Sequence, residues 1–247
     1  MKQSGKDAAE PRPRRRAQTQ NTGRWLWEWV KSISVAILLF LIIRTFVVEA
    51  FKIPTGSMED TLLVGDFLLV NKAVYGAQVP FTGIRLPAFD TPERGDVIVF
   101  EYPLDRSKNY VKRVVGLPGD TVEMRNGELY VNSNIQVESY VQHTQPNGDY
   151  YDPSFEWQRD FLPEKARRNG YRPTRDDWGP IIVPPDRYFV MGDNRDNSQD
   201  SRYWGFVDRS LIKGRPLIIY YSFDRSKLRP LPWLTEVRWD RVGNRVE

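Results

Sequence analysis

The sequence predicts a mainly β protein: an antiparallel β-sheet domain with an inserted β/loop lobe, preceded by one N-terminal transmembrane helix. Three observations predict it. A single long apolar run lies near the N-terminus, directly behind a cationic stretch. After residue 50 the chain turns to short β-rich runs bounded by Gly, Pro, Asp and Asn, with no further long helical period. Between residues 139 and 180 that texture gives way to a polar, aromatic and Pro-rich stretch.

The elements follow in chain order. Residues 1–24 are polar and Arg-rich and lack apolar periodicity, so they read as a disordered basic tail. Residues 25–48 read as a signal anchor. Trp25, Trp27 and Trp29 suit a membrane–water interface, and Ser32 to Val48 supplies 17 residues, the lower limit for a span. Residues 1–31 hold eight basic side chains against three acidic ones. The positive-inside rule then puts the N-terminus in the cytoplasm and everything after Val48 on the outer face of the plasma membrane. A buried core helix is one competing reading, opposed by the Arg-rich flank and the Trp cluster. A signal peptide cut near Ala50 is the other, opposed by the 31 residues ahead of the apolar run and by Arg44 near its end.

Phe67–Val70, Val97–Tyr102, Tyr110–Val115, Gly127–Val131, Arg187–Met191 and Leu217–Tyr221 read as strands. Gly65-Asp66, Gly95-Asp96 and Pro118-Gly119-Asp120 read as turns. Residues 49–138 and 181–247 then form the β domain, and 139–180 form an inserted variable lobe.

Composition narrows the chemistry. The 247 residues include no cysteine and one histidine, His143. Disulfides, thiolate nucleophiles and Cys-rich metal clusters are excluded, and no metal or cofactor is expected. A Ser-His-Asp triad would need His143, which has no carboxylate near it in sequence. Acid–base work therefore falls to Lys, Asp, Glu or Tyr. The net charge of +4 sits in the tail rather than on a folded face, so no nucleic-acid partner is expected.

Three stretches carry candidate chemistry. In Ile53-Pro54-Thr55-Gly56-Ser57-Met58-Glu59-Asp60-Thr61-Leu62, Gly56 lets the backbone bend and present Ser57. The spacing of Ser57 to Asp60 also resembles a capping box, in which Ser57 would only start a helical turn. In Tyr110-Val111-Lys112-Arg113-Val114-Val115-Gly116, the strand period puts Lys112 on one face with Tyr110 and Val114. Burial would lower the lysine pKa and free the amine to act as a base, whereas an edge lysine in water would only discourage aggregation. The third stretch, Met191 to Gly205, is dense in short polar side chains. EF-hand spacing fails from both Asp193 and Asp196, so an ordered polar loop supporting a site is the better reading. The G-x-S-x-G and S-x-x-K patterns are absent at Ser57, so a Ser–Lys pair must be assembled from distant segments.

In this order, behind one anchor, the stretches resemble the bacterial type I signal peptidase family, the membrane-bound Ser–Lys proteases that remove signal peptides. The resemblance rests on Pro54-Thr55-Gly56-Ser57-Met58, on Tyr110 to Gly116, and on Gly192-Asp193-Asn194 through Ser198, Asp200, Ser201, Arg202 and Trp204-Gly205. It implies Ser57 as nucleophile and Lys112 as neutral general base. It implies an oxyanion hole from the Ser57 N–H and the Thr55 hydroxyl, where many members have Ser in place of Thr55. Ser198 would hold the Lys112 amine, and Asp200, Arg202, Asp193 and Arg113 would support the site. Lys112 also separates the chain from relatives with His there. A shallow cleft of Phe51, Ile53, Pro54, Met58, Leu62, Tyr110 and Val111 would accept Ala and reject bulk, matching cleavage of preproteins after Ala-x-Ala. The implied partners are preprotein signal peptides, the lipid bilayer and the translocation machinery, with no cofactor. Two alternatives stay open: a specialised or organellar Ser–Lys processing peptidase, and a non-catalytic membrane-anchored β-domain, which predicts Ser57 and Lys112 far apart. His143 has no part in the implied mechanism, so His143→Ala is expected to leave preprotein cleavage rates unchanged.

Overall fold

The computed structural model describes residues 22–80, 82–144, 149–166, 170–227 and 230–247. The expected basic tail lies outside these residues except for its last three. The chain divides into two compact units between Leu41 and Ile42.

Helix α1 (Thr22–Phe46) is 25 residues long. Its stretch Gly23–Phe46 contains an 18-residue window of mean hydropathy 2.0, none of it buried against protein, and is long and apolar enough to cross a membrane. A helix satisfies all its own backbone hydrogen bonds, which is what a spanning segment requires. The helix ends as the Val47 amide closes on the Ile43 carbonyl. Val48, the last residue of the apolar run, begins the first strand instead of extending the helix.

The second unit is built on antiparallel strands, as expected. In chain order they are β1 (Val48–Lys52), β2 (Asp66–Asn71), β3 (Val97–Tyr102), β4 (Asp105–Gly116), β5 (Thr121–Arg125), β6 (Glu128–Val131), β7 (Asn134–Ile135), β8 (Trp178–Ile182), β9 (Arg187–Met191), β10 (Val207–Asp208) and β11 (Ile212–Ser222). Seven form one sheet in the order β1-β2-β11-β3-β4-β9-β10, and β7-β6-β5-β8 form a second. All six strands read from the sequence are present, and β4 and β11 are longer than read. The sequence reading did not include β1, β5, β7, β8 or β10. β1 is masked by continuity with the apolar run, and β5 by its charged residues Glu123 and Arg125. β7 and β10 are two residues each. β8 begins inside the stretch read as a lobe, at Trp178, and pairs with β5.

Three apolar clusters hold the sheets. One packs Val122, Met124, Leu129, Val131 and Ile181 of the small sheet against Val115, Phe189 and Met191 of the large one. A second gathers Ile98, Phe100, Val114, Val190 and Ile212, and a third Ile53, Met58, Leu62, Leu68, Val70, Val97 and Val99. Each such fully buried side chain stabilises the fold by roughly 1.5–3 kcal/mol over leaving it in water. Strand β4 touches all three clusters, through Val115, Val114 and Val111 respectively. It pairs with β3 as far as Tyr110 and beyond, but with β9 only from Arg113 onward. Among the described strands, the side of β4 at Tyr110–Lys112 facing away from β3 therefore has no partner.

The close approach of β11 to β2 requires Gly214, where an added Cβ would overlap the Asn71 carbonyl oxygen. Gly214→Ala is expected to lower unfolding stability by about 2 kcal/mol through forced separation of these strands, measured by denaturant titration of the full chain.

Candidate active site

The bend carrying Ser57 is a series of turns, with Glu59 N–H donating to Gly56 O (3.1 Å) and Leu62 N–H to Met58 O (2.6 Å). No helix starts at Ser57, so its hydroxyl caps none. The Ser57 Oγ lies instead 2.5 Å from Lys112 Nζ, contributed by β4 across 55 residues of sequence. The non-catalytic alternative predicts a separation beyond hydrogen-bond reach, and this one is well within it.

Lys112 is not an edge lysine in water, because only 3% of it is exposed. Nζ also donates to the Val111 carbonyl (3.1 Å) and lies 5.6 Å over the Tyr110 ring. Burial pushes the ammonium down from 10.5 to about 8. The carboxylates of Asp200 and Asp193 oppose that fall, and the Arg202 guanidinium adds to it.

The polar residues of the third stretch are brought behind this pair. Arg113, on the opposite face of β4, grips Asp193 through two bonds, Nε to Oδ1 (2.9 Å) and Nη2 to Oδ2 (2.8 Å). Thr61 Oγ1 donates to the same carboxylate, and the guanidinium lies 3.8 Å over the Tyr140 ring. Arg202 grips Asp200 in the same two-bond manner, at 2.8 and 2.9 Å, and both side chains are fully buried. Burial alone would raise the Asp200 carboxyl, but the Arg202 charge and the Gly192 N–H outweigh it and hold it below the usual range. Buried pairs of this kind add little net stability, but removing one partner is costly, so they fix the loop's geometry.

The Ser198 hydroxyl is buried in the site and makes no hydrogen bond to Lys112. Ser198 instead packs against Gly192, where any Cβ would collide with it and with the Ser57 carbonyl. His143 pairs with Asp196 (3.1 Å), a carboxylate 53 residues along the chain that sequence proximity could not reveal.

Ser57 opens into a cleft of about 540 Å³. Phe51, Ile53, Pro54, Met58, Tyr110 and Val111 line it, together with Thr55 and Lys112. Leu62 does not: it is fully buried in the cluster beneath, because the turn after Met58 directs it inward. Lys52, Asn109, Asn197 and Gln199 also line the cleft and were missed. Asn197, at the end of a 3-10 turn, and Gln199 are exposed on either side of the buried, extended Ser198, and no local sequence pattern marks them as cleft residues.

An amine whose pKa is lowered toward neutral, so that a usable fraction is unprotonated near pH 7, and which touches a hydroxyl at the wall of an apolar cleft can activate that hydroxyl for attack on a carbonyl. Such chemistry defines a serine-type hydrolase, and the comparisons with known proteins agree. Residues 26–221 match the family described as "Signal peptidase, peptidase S26". A signal peptidase I of Pseudomonas aeruginosa is 39% identical over 219 residues, covering 83% of this chain and 74% of that protein. Signal peptidase I of Buchnera aphidicola (subsp. Acyrthosiphon pisum) is 34% identical over 247 aligned residues, covering 84% and 78%. That of Aquifex aeolicus is 35% identical over 226, covering 78% and 84%. The chain belongs to the S26 signal peptidase family and is a serine-type endopeptidase.

The buried Lys112 carries a stability cost whose sign can be tested. Its folded pKa lies below the unfolded value, so the penalty is fully present below about pH 8 and disappears as pH rises past the unfolded value. Lys112→Met is expected to raise stability by roughly 3 kcal/mol at pH 7, with the gain shrinking above pH 8, measured by chemical unfolding across pH.

Proposed function

We propose that this endopeptidase is held in the bacterial plasma membrane by α1 and cuts signal peptides from exported preproteins on the outer face, after small residues in an Ala-x-Ala pattern. The observation that carries the reading is the 2.5 Å approach of Lys112 Nζ to Ser57 Oγ at a buried, apolar position. Lys112 takes the Ser57 proton as Oγ bonds to the scissile carbonyl carbon. The carbonyl oxygen becomes an oxyanion held by the Ser57 N–H and the Thr55 hydroxyl. Collapse breaks the C–N bond, and the Lys112 ammonium returns its proton to the leaving amine. Water, deprotonated by the same amine, then hydrolyses the acyl-enzyme.

The cleft supports the specificity. Its floor is formed by Ile53 and Met58, which are 3% and 2% exposed and already packed in the core, so it has little depth for a large side chain. The strand side of β4 at Tyr110–Lys112 that lacks a partner suits an extended peptide, whose backbone can pair there while alternate side chains enter the cleft. The basic flank and Trp residues of the N-terminal segment support the membrane orientation.

Ser57→Ala and Lys112→Ala are each expected to abolish cleavage of an Ala-x-Ala preprotein while leaving the fold intact by circular dichroism. In the unaltered chain, kcat/KM is expected to rise with pH and level off above about 8, as the Lys112 amine loses its proton. Full activity of Lys112→Ala would exclude the mechanism.

A further inference from the structure

The inference rests on the oxyanion hole proposed above and concerns what aims it. In a planar trans peptide the C=O and the N–H point in opposite directions, so fixing one fixes the other. The Ser57 N–H belongs to the same peptide group as the Gly56 carbonyl. Asn194 Nδ2 lies 3.4 Å from that carbonyl and 3.3 Å from Glu59 Oε2. The Asn194 backbone N–H donates to the Ser57 carbonyl (3.2 Å), which belongs to the next peptide group. Asn194 thus bonds the peptide groups on both sides of the Ser57 Cα, sharing the Gly56 carbonyl with the Glu59 N–H (3.1 Å).

An asparagine amide can face either way unless its partners decide. Here they do. Asn194 Oδ1 accepts from the Asn197 N–H (3.3 Å), which can only donate, while Nδ2 faces the Glu59 carboxylate, which can only accept; the Thr144 hydroxyl then donates to Oδ1 (3.0 Å). Thr144 comes from the start of the inserted lobe. That segment is strapped to the same loop by backbone bonds, Gln142 N–H to Asp193 O (2.9 Å) and Arg195 N–H to Gln142 O (3.0 Å).

We propose that Asn194 and Thr144 are positioning residues: Thr144 anchors the Asn194 amide through its Oδ1, and Asn194 holds the Ser57 N–H toward the place where the oxyanion forms. The lobe is then part of the catalytic machinery through one hydroxyl. Because the oxyanion exists only beyond the ground state, the effect falls on kcat and not on KM.

The test uses the full chain in detergent with an Ala-x-Ala peptide substrate. Thr144→Val keeps the shape and removes the donor; kcat is expected to fall about tenfold with KM unchanged, and Thr144→Ser to restore it. Asn194→Ala is expected to cost about 100-fold in kcat. A peptide aldehyde supplies the second readout. Ser57 Oγ adds to its carbon, the Ser57 proton passes to Lys112, and its oxygen becomes the oxyanion. Its affinity is expected to fall in parallel with kcat, and the pH midpoint near 8 to stay in place, because the base is untouched. An unchanged kcat in Thr144→Val, a loss expressed in KM, or failure of Thr144→Ser to restore activity overturns the inference. Ser57→Ala run alongside separates the two levels: residual cleavage there overturns the nucleophile assignment itself, whereas an inactive Ser57→Ala with a normal Thr144→Val overturns only the positioning role.

Discussion

A lysine can offer an unprotonated amine near neutral pH only where water is kept from it, and much of the second unit of this protein serves that exclusion. Lys112 sits where β4 meets the bend carrying Ser57, with apolar clusters on both sides of the strand. An opposite charge placed against Nζ would restore the ammonium. The nearest carboxylates, Asp193 and Asp200, are each committed to an arginine through two hydrogen bonds. Their pull on Lys112 is partly balanced by Arg202, so burial decides the outcome. The two buried ion pairs are best understood as a way of building a polar, rigid loop beside the lysine without adding net charge there.

The same loop meets other demands. Gly192 must lack a side chain because Ser198 and the Ser57 carbonyl occupy its Cβ space. Asp200 caps α2 (Ser201–Trp204) through the Arg202 N–H while also accepting from Gly192, which ties the helical turn to the loop ahead of it. Asn194 reaches the peptide groups around Ser57. A run of short polar side chains suits these tasks because each can bond nearby backbone. This also explains the failure of calcium spacing: the carboxylates are consumed by arginines.

Some of this was legible in the residues. Alternation and turn signals located six strands, because β4, β9 and the rest carry β-branched and aromatic runs bounded by Gly, Pro and Asp. Period two placed Lys112 and Arg113 on opposite faces, and they do have separate partners. β7 and β10 are too short to show a period, and β8 carries Gly179-Pro180 and starts inside a polar stretch, so their pairing is decided by the sheet they join. Leu62 illustrates the other limit. Its apolar character and position near Ser57 suit a cleft wall equally well, and only the turn after Met58 sends it into the core.

The sequence by itself determined the antiparallel β architecture, the apolar N-terminal helix and the chemistry available, since zero cysteines and one histidine leave acid–base work to Lys, Asp, Glu or Tyr. These are properties of composition, period and local spacing. The tertiary structure decided the rest. It set the 2.5 Å meeting of residues 55 positions apart, the depth of burial that lowers the lysine, and the arginine partner of each carboxylate. It also put Ser198 against Gly192 instead of the amine, and gave His143 a carboxylate partner 53 residues away. Distances and desolvation depend on which surfaces the fold closes together, and no local pattern carries that information.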